Sequence, residues 1–279
     1  VARIPSSPIN TRSMQLYFDH ISGRQSDTDF VHILVSATFE KYEYDWALDN
    51  GWAPSNVWYD NNTHFMQDNE MIWYQSRQVR INLCKYRETK EERKLNSRFD
   101  GFSYVTTDPV FDDLFGIYRE YVEARGFSDH MDRTEFERSY QNYNGQMIYI
   151  IFESNTTSDR AFSVLEVVGN SLIAHQFCWN YHTPNIYLGK VASYKEISYA
   201  REKMYKAIYI GPSYESYSIY KRSFPGFEWW TGREWSEDRS VYRKLLASMG
   251  PGHGGPGEGR EDLGEEDVVD ASMGPGHGG

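Results

Sequence analysis

Residues 186–228, IYLGKVASYKEISYAREKMYKAIYIGPSYESYSIYKRSFPGFE, constrain the fold more than any other stretch of the chain. Ser193, followed three residues later by Glu196, has the spacing of a capping box. Ile197, Ala200, Met204 and Ile208 follow at helical spacing, which predicts a helix over residues 194–208. Tyr209 and Ile210 then read as a short strand, Gly211-Pro212 as a break, and residues 213–222 as a second helix capped by Ser213. A strand, a loop and a helix whose unpaired N–H groups face that loop make a general anion site, because free amides and the helix dipole both favour negative charge. Gly189 and Lys190 fall in that expected loop.

The elements ahead of this stretch complete an order. Asp108-Pro109 reads as an N-cap with proline at the first helical position, and Phe111, Leu114, Phe115, Tyr118 and Val122 form an apolar stripe that Gly126 ends. Asp132 with Glu135 is a further capping box, and Met131 and Phe136 take the two places of a hydrophobic staple. Residues 147–152, 161–168 and 172–179 read as three successive strands. Two helices, three strands, then helix, strand, helix and strand resembles the plan of the GNAT N-acyltransferases. The expected class is therefore α+β, with a GNAT-like mixed sheet flanked by helices over residues 105–246.

Residues 14–104 are expected to form a smaller α+β unit. Residues 16–36 show no clear period, with Ser22-Gly23-Arg24 as a turn, and residues 37–50 read as a helix that Gly51 caps. Residues 71–83, MIWYQSRQVRINL, alternate as one strand should, with Val79, Ile81 and Leu83 facing a core and Arg80 presented outward. Thr89 and Glu92 form another capping box and open a short basic helix to about Arg98.

The net charge of −11 argues against a nucleic-acid partner until it is resolved along the chain. Residues 247–279 carry seven acids against Arg260, a share of −6 that leaves −5 for the body. Residues 77–98 hold eight bases against three acids, a local +5. Arg77, Arg80, Lys85, Arg93, Lys94 and Arg98 are the members expected to hold phosphates. The 247–279 segment contains ASMGPGHGG twice around an acidic spacer and is expected to be disordered, since Gly, Pro and acids bury little apolar area. Its isolated His253 and His277 do not make a metal site.

Residues 1–13 are set aside as an arm ahead of Met14. The two cysteines, Cys84 and Cys178, lack a CxxC partner and read as free thiols of a reducing compartment. No run approaches the ~20 apolar residues of a spanning helix, so the expectation is a soluble, cytoplasmic chain without a membrane partner. The high aromatic content, 16 %, is assigned mainly to packing.

Several segments are similar to the arginyl-tRNA protein transferase family, which includes bacterial leucyl-transferring members. In the second unit these are FGIYREYVEARGFSDHM at 115–131, YLGKVASYKEISYAR at 187–201 and YIGPSYESYSIYKRSFPGFE at 209–228. In the first they are LDNGW at 48–52 and SRQVRINLCKYRETKEERKLNSRF at 76–99. The resemblance implies transfer of an aminoacyl group from aminoacyl-tRNA to the α-amine of a protein N-terminus. An amine would attack an activated ester, aided mainly by positioning and by stabilisation of the oxyanion. On this basis Tyr118, Tyr121 and Arg125, which share a helix face, together with Tyr187, Tyr220 and Lys221, are the candidate catalytic residues. Gly189 and Lys190 join the basic patch as candidate tRNA contacts.

The departures are specific. The cysteine pairs that some family members carry near the N-terminus have no counterpart, so no cofactor or metal is expected. His182-Thr183-Pro184-Asn185 replaces an acidic segment, Gly126 follows Arg125 where the family has histidine, and the amino acid moved is left open. Two other readings stand beside the first: an acyl-CoA N-acyltransferase on the same fold, and a non-catalytic RNA- or peptide-binding relative.

Overall fold

The computed structural model describes residues 15–25, 28–55, 72–75, 78–99, 101–125, 131–141, 145–180, 188–212 and 216–247. In chain order the strands and helices are β1 (Gln15–Gln25), β2 (Thr28–Thr38), α1 (Tyr44–Asp49), β3 (Trp52–Ser55), β4 (Ile72–Gln75), β5 (Gln78–Asn82), α2 (Lys90–Arg98) and β6 (Gly101–Thr106). There follow α3 (Phe111–Arg125), α4 (Arg133–Gln141), β7 (Gln146–Ser154), β8 (Arg160–Val168), β9 (Ser171–Trp179), α5 (Leu188–Glu202), β10 (Ala207–Pro212), a 3-10 helix (Ser216–Ser223), β11 (Phe227–Trp230), β12 (Trp235–Ser236) and α6 (Arg239–Ala247). This is an α+β fold with a mixed sheet flanked by helices. The expected arm and the repeat tail lie outside the described residues.

The strands form a four-stranded sheet in the order β1-β2-β4-β3 and an eight-stranded sheet in the order β12-β11-β5-β10-β9-β8-β7-β6. Three apolar clusters hold the large sheet between its helices. On one face Ile148, Ile150, Leu165 and Leu172 pack against Val191, Tyr194 and Ile197 of α5, Leu95 of α2, and Tyr242 and Leu246 of α6. On the other, Tyr149, Ile151, Phe162 and Val164 meet the α3 stripe and Phe136 of α4, while Ile173 and Tyr209 meet Ala47 and Leu48 of α1.

Where the signals were local they placed the elements well. Thr89 accepts from Glu92 N at 3.0 Å and the reciprocal bond is present, so α2 begins where its capping box sits. Asp132 accepts from Thr134 N and Glu135 N, and its own N–H donates to Glu135 at 2.9 Å, which fixes the start of α4. Met131 packs against the apolar cluster that contains Phe136. β7, β8 and β9 match the three expected strands.

Four expectations need correction. Residues 16–36 are not irregular, because β1 and β2 form a long hairpin in which Gly23 lies opposite Phe30 within the ladder. Residues 37–50 are not one helix: Ala37 belongs to β2, and only a turn of 3-10 helix and the short α1 follow. Gly51 does terminate that segment, at φ 77° with a built Cβ falling 2.2 Å from Trp230.

The expected single strand over 71–83 is instead two, β4 in the small sheet and β5 between β10 and β11 in the large one. The large sheet thus includes β5 and β6, both of which begin before residue 105.

Finally, α5 begins at Leu188, ahead of the predicted Tyr194, and ends at Glu202. Ser193 is no cap; its hydroxyl donates to Gly189 O one turn back, at 3.1 Å. Met204, with φ 59°, closes the helix, with Tyr205 N bonded to Ala200 O and Met204 N to Arg201 O, both at 3.0 Å. The following helix is a 3-10 helix from Ser216, and residues 213–215 lie outside the described set.

Candidate functional site

Within the large sheet β9 and β10 run parallel, joined by α5, and they pair only at Leu172–Ile208 and Ile173–Tyr209. Beyond that point β10 stays with β5, through a register shift between Tyr209 and Pro212, while β9 continues along β8 to Trp179. The two strands therefore part toward their carboxyl ends. Residues 174–177 of β9 are only half-buried, although the strand lies inside the sheet. α5 starts at the same end, so the first turn of the helix lies beside the opening. Ligands in α/β sheets favour this position, outside the carboxyl ends of diverging strands.

A bulge shapes the β9 wall. Val164 of β8 faces Gln176 and Leu165 faces Ala174, leaving His175 as the extra residue. Its imidazole Nε2 lies 2.8 Å from Glu166 Oε2, and Glu166 is fully buried. The other carboxylate oxygen of Glu166 accepts from Gly145 N at 3.1 Å. Burial, with the Glu166 charge second, raises the pKa of the Tyr44 phenol, which places that ring in the same electrostatic neighbourhood. The buried carboxylate fixes the orientation of the imidazole ring beside the opening.

On the other face of the sheet Glu196 of α5 accepts from the Ser163 hydroxyl of β8 at 2.5 Å, with both side chains buried. Burial pushes the Glu196 carboxyl up to about 7, against a smaller lowering by the serine. The aromatic rings at the end of β9 form a wall: Phe177 stacks on Trp179 at 5.1 Å, and Tyr121 of α3 meets Trp179 at 4.9 Å. Gly189, in the first turn of α5, would bring a Cβ to 4.0 Å from Phe177, so it admits a group beside that ring. Lys221 reaches the end of β10 from the 3-10 helix, its Nζ 3.7 Å from the place of a Gly211 Cβ.

The sequence candidates are distributed unevenly around this opening. Tyr121, Gly189 and Lys221 lie at it. Tyr118 is buried, accepts from Met131 N at 3.2 Å, and has its pKa raised by burial, which makes it a brace between α3 and the start of α4. Tyr220 is partly exposed and packs edge-on against Phe224. Arg125 ends α3, with its side chain outside the described set, and Tyr187 and Arg77 lie outside the described residues.

Arg80 is not presented outward, as its place in an alternating strand suggested; it is 9 % exposed. β5 is an interior strand with both faces covered. Arg80 Nε donates to Glu228 Oε2 at 2.7 Å, its Nη1 to Asp49 at 3.2 Å and to Tyr209 at 3.3 Å, and its guanidinium lies 4.0 Å above the Trp235 ring.

The rest of the basic concentration is also partly spoken for. Lys85 pairs with Glu228 and Glu237, Arg93 with Glu88 at 3.3 Å, and Lys190 with Glu91 of α2 at 2.5 Å. Among the described residues Lys90, Lys94 and Arg98 make no ion pair. They stand at i, i+4 and i+8 on α2, opposite the buried Glu92 and Leu95, and form one exposed cationic stripe. The Lys190–Glu91 bridge ties this helix to the first turn of α5, beside the opening.

His175, Glu166 and Ser163 were missed, and Glu196 was read only as a capping residue. The available signal was a polar residue interrupting an apolar strand, as in SVLEVV and LIAHQFCW.

No family model matches the chain, and no curated protein does. Among solved structures it is similar to L-PGS from Bacillus licheniformis, with 13% identity over 62% of this chain and 50% of that one, at a TM-score of 0.39. It is also similar to FemX, with 9% identity over 71% of this chain and 79% of that one, at a TM-score of 0.39. The chain spans half the length of the first. Likeness of this degree leaves the chemistry of the opening to be read from its own residues.

Proposed function

We propose that the chain is an aminoacyltransferase that moves an amino acid from aminoacyl-tRNA to the α-amine of a protein N-terminus at the opening between β9 and β10. The observation that carries this reading is the placement of the α2 stripe. Lys90, Lys94 and Arg98 lead along one helix to the Lys190–Glu91 contact at the first turn of α5, where the strands part. A tRNA acceptor stem held by its phosphates on that stripe would deliver its 3′ end to the opening.

The reaction needs the ammonium deprotonated, a proton delivered to the departing ribose oxygen, and one oxyanion stabilised. Once the ammonium has lost a proton, the amine nitrogen attacks the ester carbonyl carbon and the carbonyl oxygen takes the negative charge. As the C–O bond breaks and the amide forms, the nitrogen gives up a second proton and the departing ribose oxygen takes one up. Main-chain N–H groups of β9 beyond Ile173, where pairing with β10 has ended, are the donors for the oxyanion. His175, whose Nε2 meets Glu166, is the group we assign to take the ammonium proton. Lys221 supplies positive charge at the end of β10, and the Phe177–Trp179 wall receives the aminoacyl side chain or the terminal base.

An acyl-CoA donor fits this opening less well. A pyrophosphate loop needs closely spaced glycines ahead of its helix, and residues 180–187, which precede α5, contain none. The deciding experiment incubates the protein with each labelled aminoacyl-tRNA and with peptides beginning with Asp, Glu or Lys, and with acetyl-CoA in parallel. Label in the peptide from at least one aminoacyl-tRNA is expected. Acetyl transfer without aminoacyl transfer would replace this reading with the CoA one, and tRNA binding without any transfer would make the chain a binding protein.

A further inference from the structure

The exposed stripe of α2 and the acidic segment that follows α6 are opposite in charge and are attached to the same face of the large sheet. Lys90, Lys94 and Arg98 are exposed and, among the described residues, make no ion pair. Bases around them are held by acids instead: Arg93 by Glu88 at 3.3 Å, Lys190 by Glu91 at 2.5 Å and Lys85 by Glu228 at 2.6 Å. The stripe is therefore three like charges at four-residue spacing over about 12 Å of helix, a mutual repulsion that a polyanion relieves.

The most concentrated run of opposite charge in the sequence is residues 258–270, EGREDLGEEDVVD, with seven acids against Arg260. Successive acids in it are never more than three positions apart, so every register along the stripe offers a carboxylate to each cation. The ten residues that separate it from α6, SMGPGHGGPG, carry no charge. Leu246, in the last turn of α6, and Leu95 of α2 belong to one apolar cluster. Tyr242 seats α6 on Phe227 and Trp229 of β11, and α2 leads into β6, six places along the sheet from β11. Six strand spacings are about 29 Å, and ten residues of extended chain reach about 35 Å. The connection is long enough to bring the acids onto the stripe.

We propose that residues 258–270 dock on Lys90, Lys94 and Arg98 of α2, in the place that tRNA phosphates take. The contact follows from charge and reach alone; its functional consequence rests on the tRNA reading above. The segment is a tethered competitor, present at the stripe at an effective concentration on the order of millimolar. Exposed ion pairs are individually weak, so the acids exchange readily. A polyanion that offers only phosphates must displace them, whereas an aminoacyl-tRNA also gains contacts at the opening between β9 and β10. The tail thereby raises discrimination against other nucleic acids.

Carbodiimide coupling of the whole 279-residue chain as a monomer joins lysine amines to carboxylates in contact with them, and tests the docking without tRNA. The Lys190–Glu91 and Lys206–Asp49 pairs, each at 2.5 Å, are internal controls. Lys90 or Lys94 is expected to couple to acids of residues 258–270 at low salt, and this product is expected to be lost at about 1 M salt. A second measurement replaces the seven acids by Gln or Asn in the whole chain and follows binding of unfractionated tRNA. Neutralisation is expected to tighten binding about three- to tenfold at low salt, less as salt rises, and to have no effect in a Lys90→Ala/Lys94→Ala background. Coupling confined to the two controls or to Lys244 of α6 overturns the inference. A gain that persists without Lys90 and Lys94 is general repulsion and overturns it as well. If no form binds tRNA, it is the tRNA reading that fails, and the coupling result still decides the contact.

Discussion

Arg80 Nε and Glu228 Oε2 meet at 2.7 Å across β5 and β11, in a place where both side chains are buried. Burial alone would raise the Glu228 carboxyl, but hydrogen bonds from Lys85, Arg80 and Asn82 and the Arg80 charge hold it below its ordinary value. Glu228→Ala is expected to destabilise the protein by about 3–5 kcal/mol, because it strands a buried guanidinium. The shift in the urea midpoint measures this. Because the folded pKa of Glu228 is depressed, its contribution is present above its unfolded pKa and is lost as pH falls.

Glu196 has the opposite sign. Its carboxyl is raised by burial to about 7 from 4.5, so its contribution is full below the unfolded pKa and is lost as pH rises to about 7. Glu196→Gln keeps the bond from Ser163 without the charge. Thermal unfolding of this variant is expected to lose that pH dependence and to exceed the unmodified protein by about 3 kcal/mol above pH ~8. Parallel stability curves across this range would show that Glu196 is not the titrating group.

Under the proposed reaction His175→Ala is expected to lower the single-turnover transfer rate about 10²–10⁴-fold while leaving the Kd for tRNA unchanged. Glu166→Gln, which still bonds the imidazole, is expected to retain more activity than His175→Ala. A variant that loses tRNA binding along with the rate would assign His175 to the binding surface.

Replacing Lys90 and Lys94 together with alanine should flatten the dependence of log K on log[salt] for tRNA binding by about two, roughly one for each phosphate contact removed. Arg80→Met should leave that slope unchanged even though it lowers stability, since Arg80 is buried in the Glu228 network. An unaltered slope in the lysine variant would remove α2 from the tRNA path.

The pattern of what could be read from the sequence follows the distance over which each choice is made. The capping boxes of α2 and α4 are satisfied within three residues, and both helices begin where those residues indicate. β7, β8 and β9 are apolar runs between turns and needed nothing else. Glu196 was misread as a cap because its hydroxyl partner, Ser163, is 33 positions away on another strand. Arg80 was misread as a surface residue because alternation reports only that two faces differ, and here helix α1 and Trp235 cover the polar one. The opening itself is the loss of a pairing between β9 and β10, and no local pattern encodes a pairing that fails to occur.

The position of β5 also orders events in time. It lies between β10 and β11, and Arg80 is 148 positions from the Glu228 that neutralises it. At a synthesis rate of about 5–20 residues per second, roughly 7–30 s separate the appearance of the two on the ribosome. For most of that interval, until β10 is made, Val79 and Ile81 of β5 have neither neighbouring strand. β10 is the strand that joins β5 to the β9–β6 part of the sheet, and β11 and β12, the last strands made, then cover the other side of β5 at the sheet's edge.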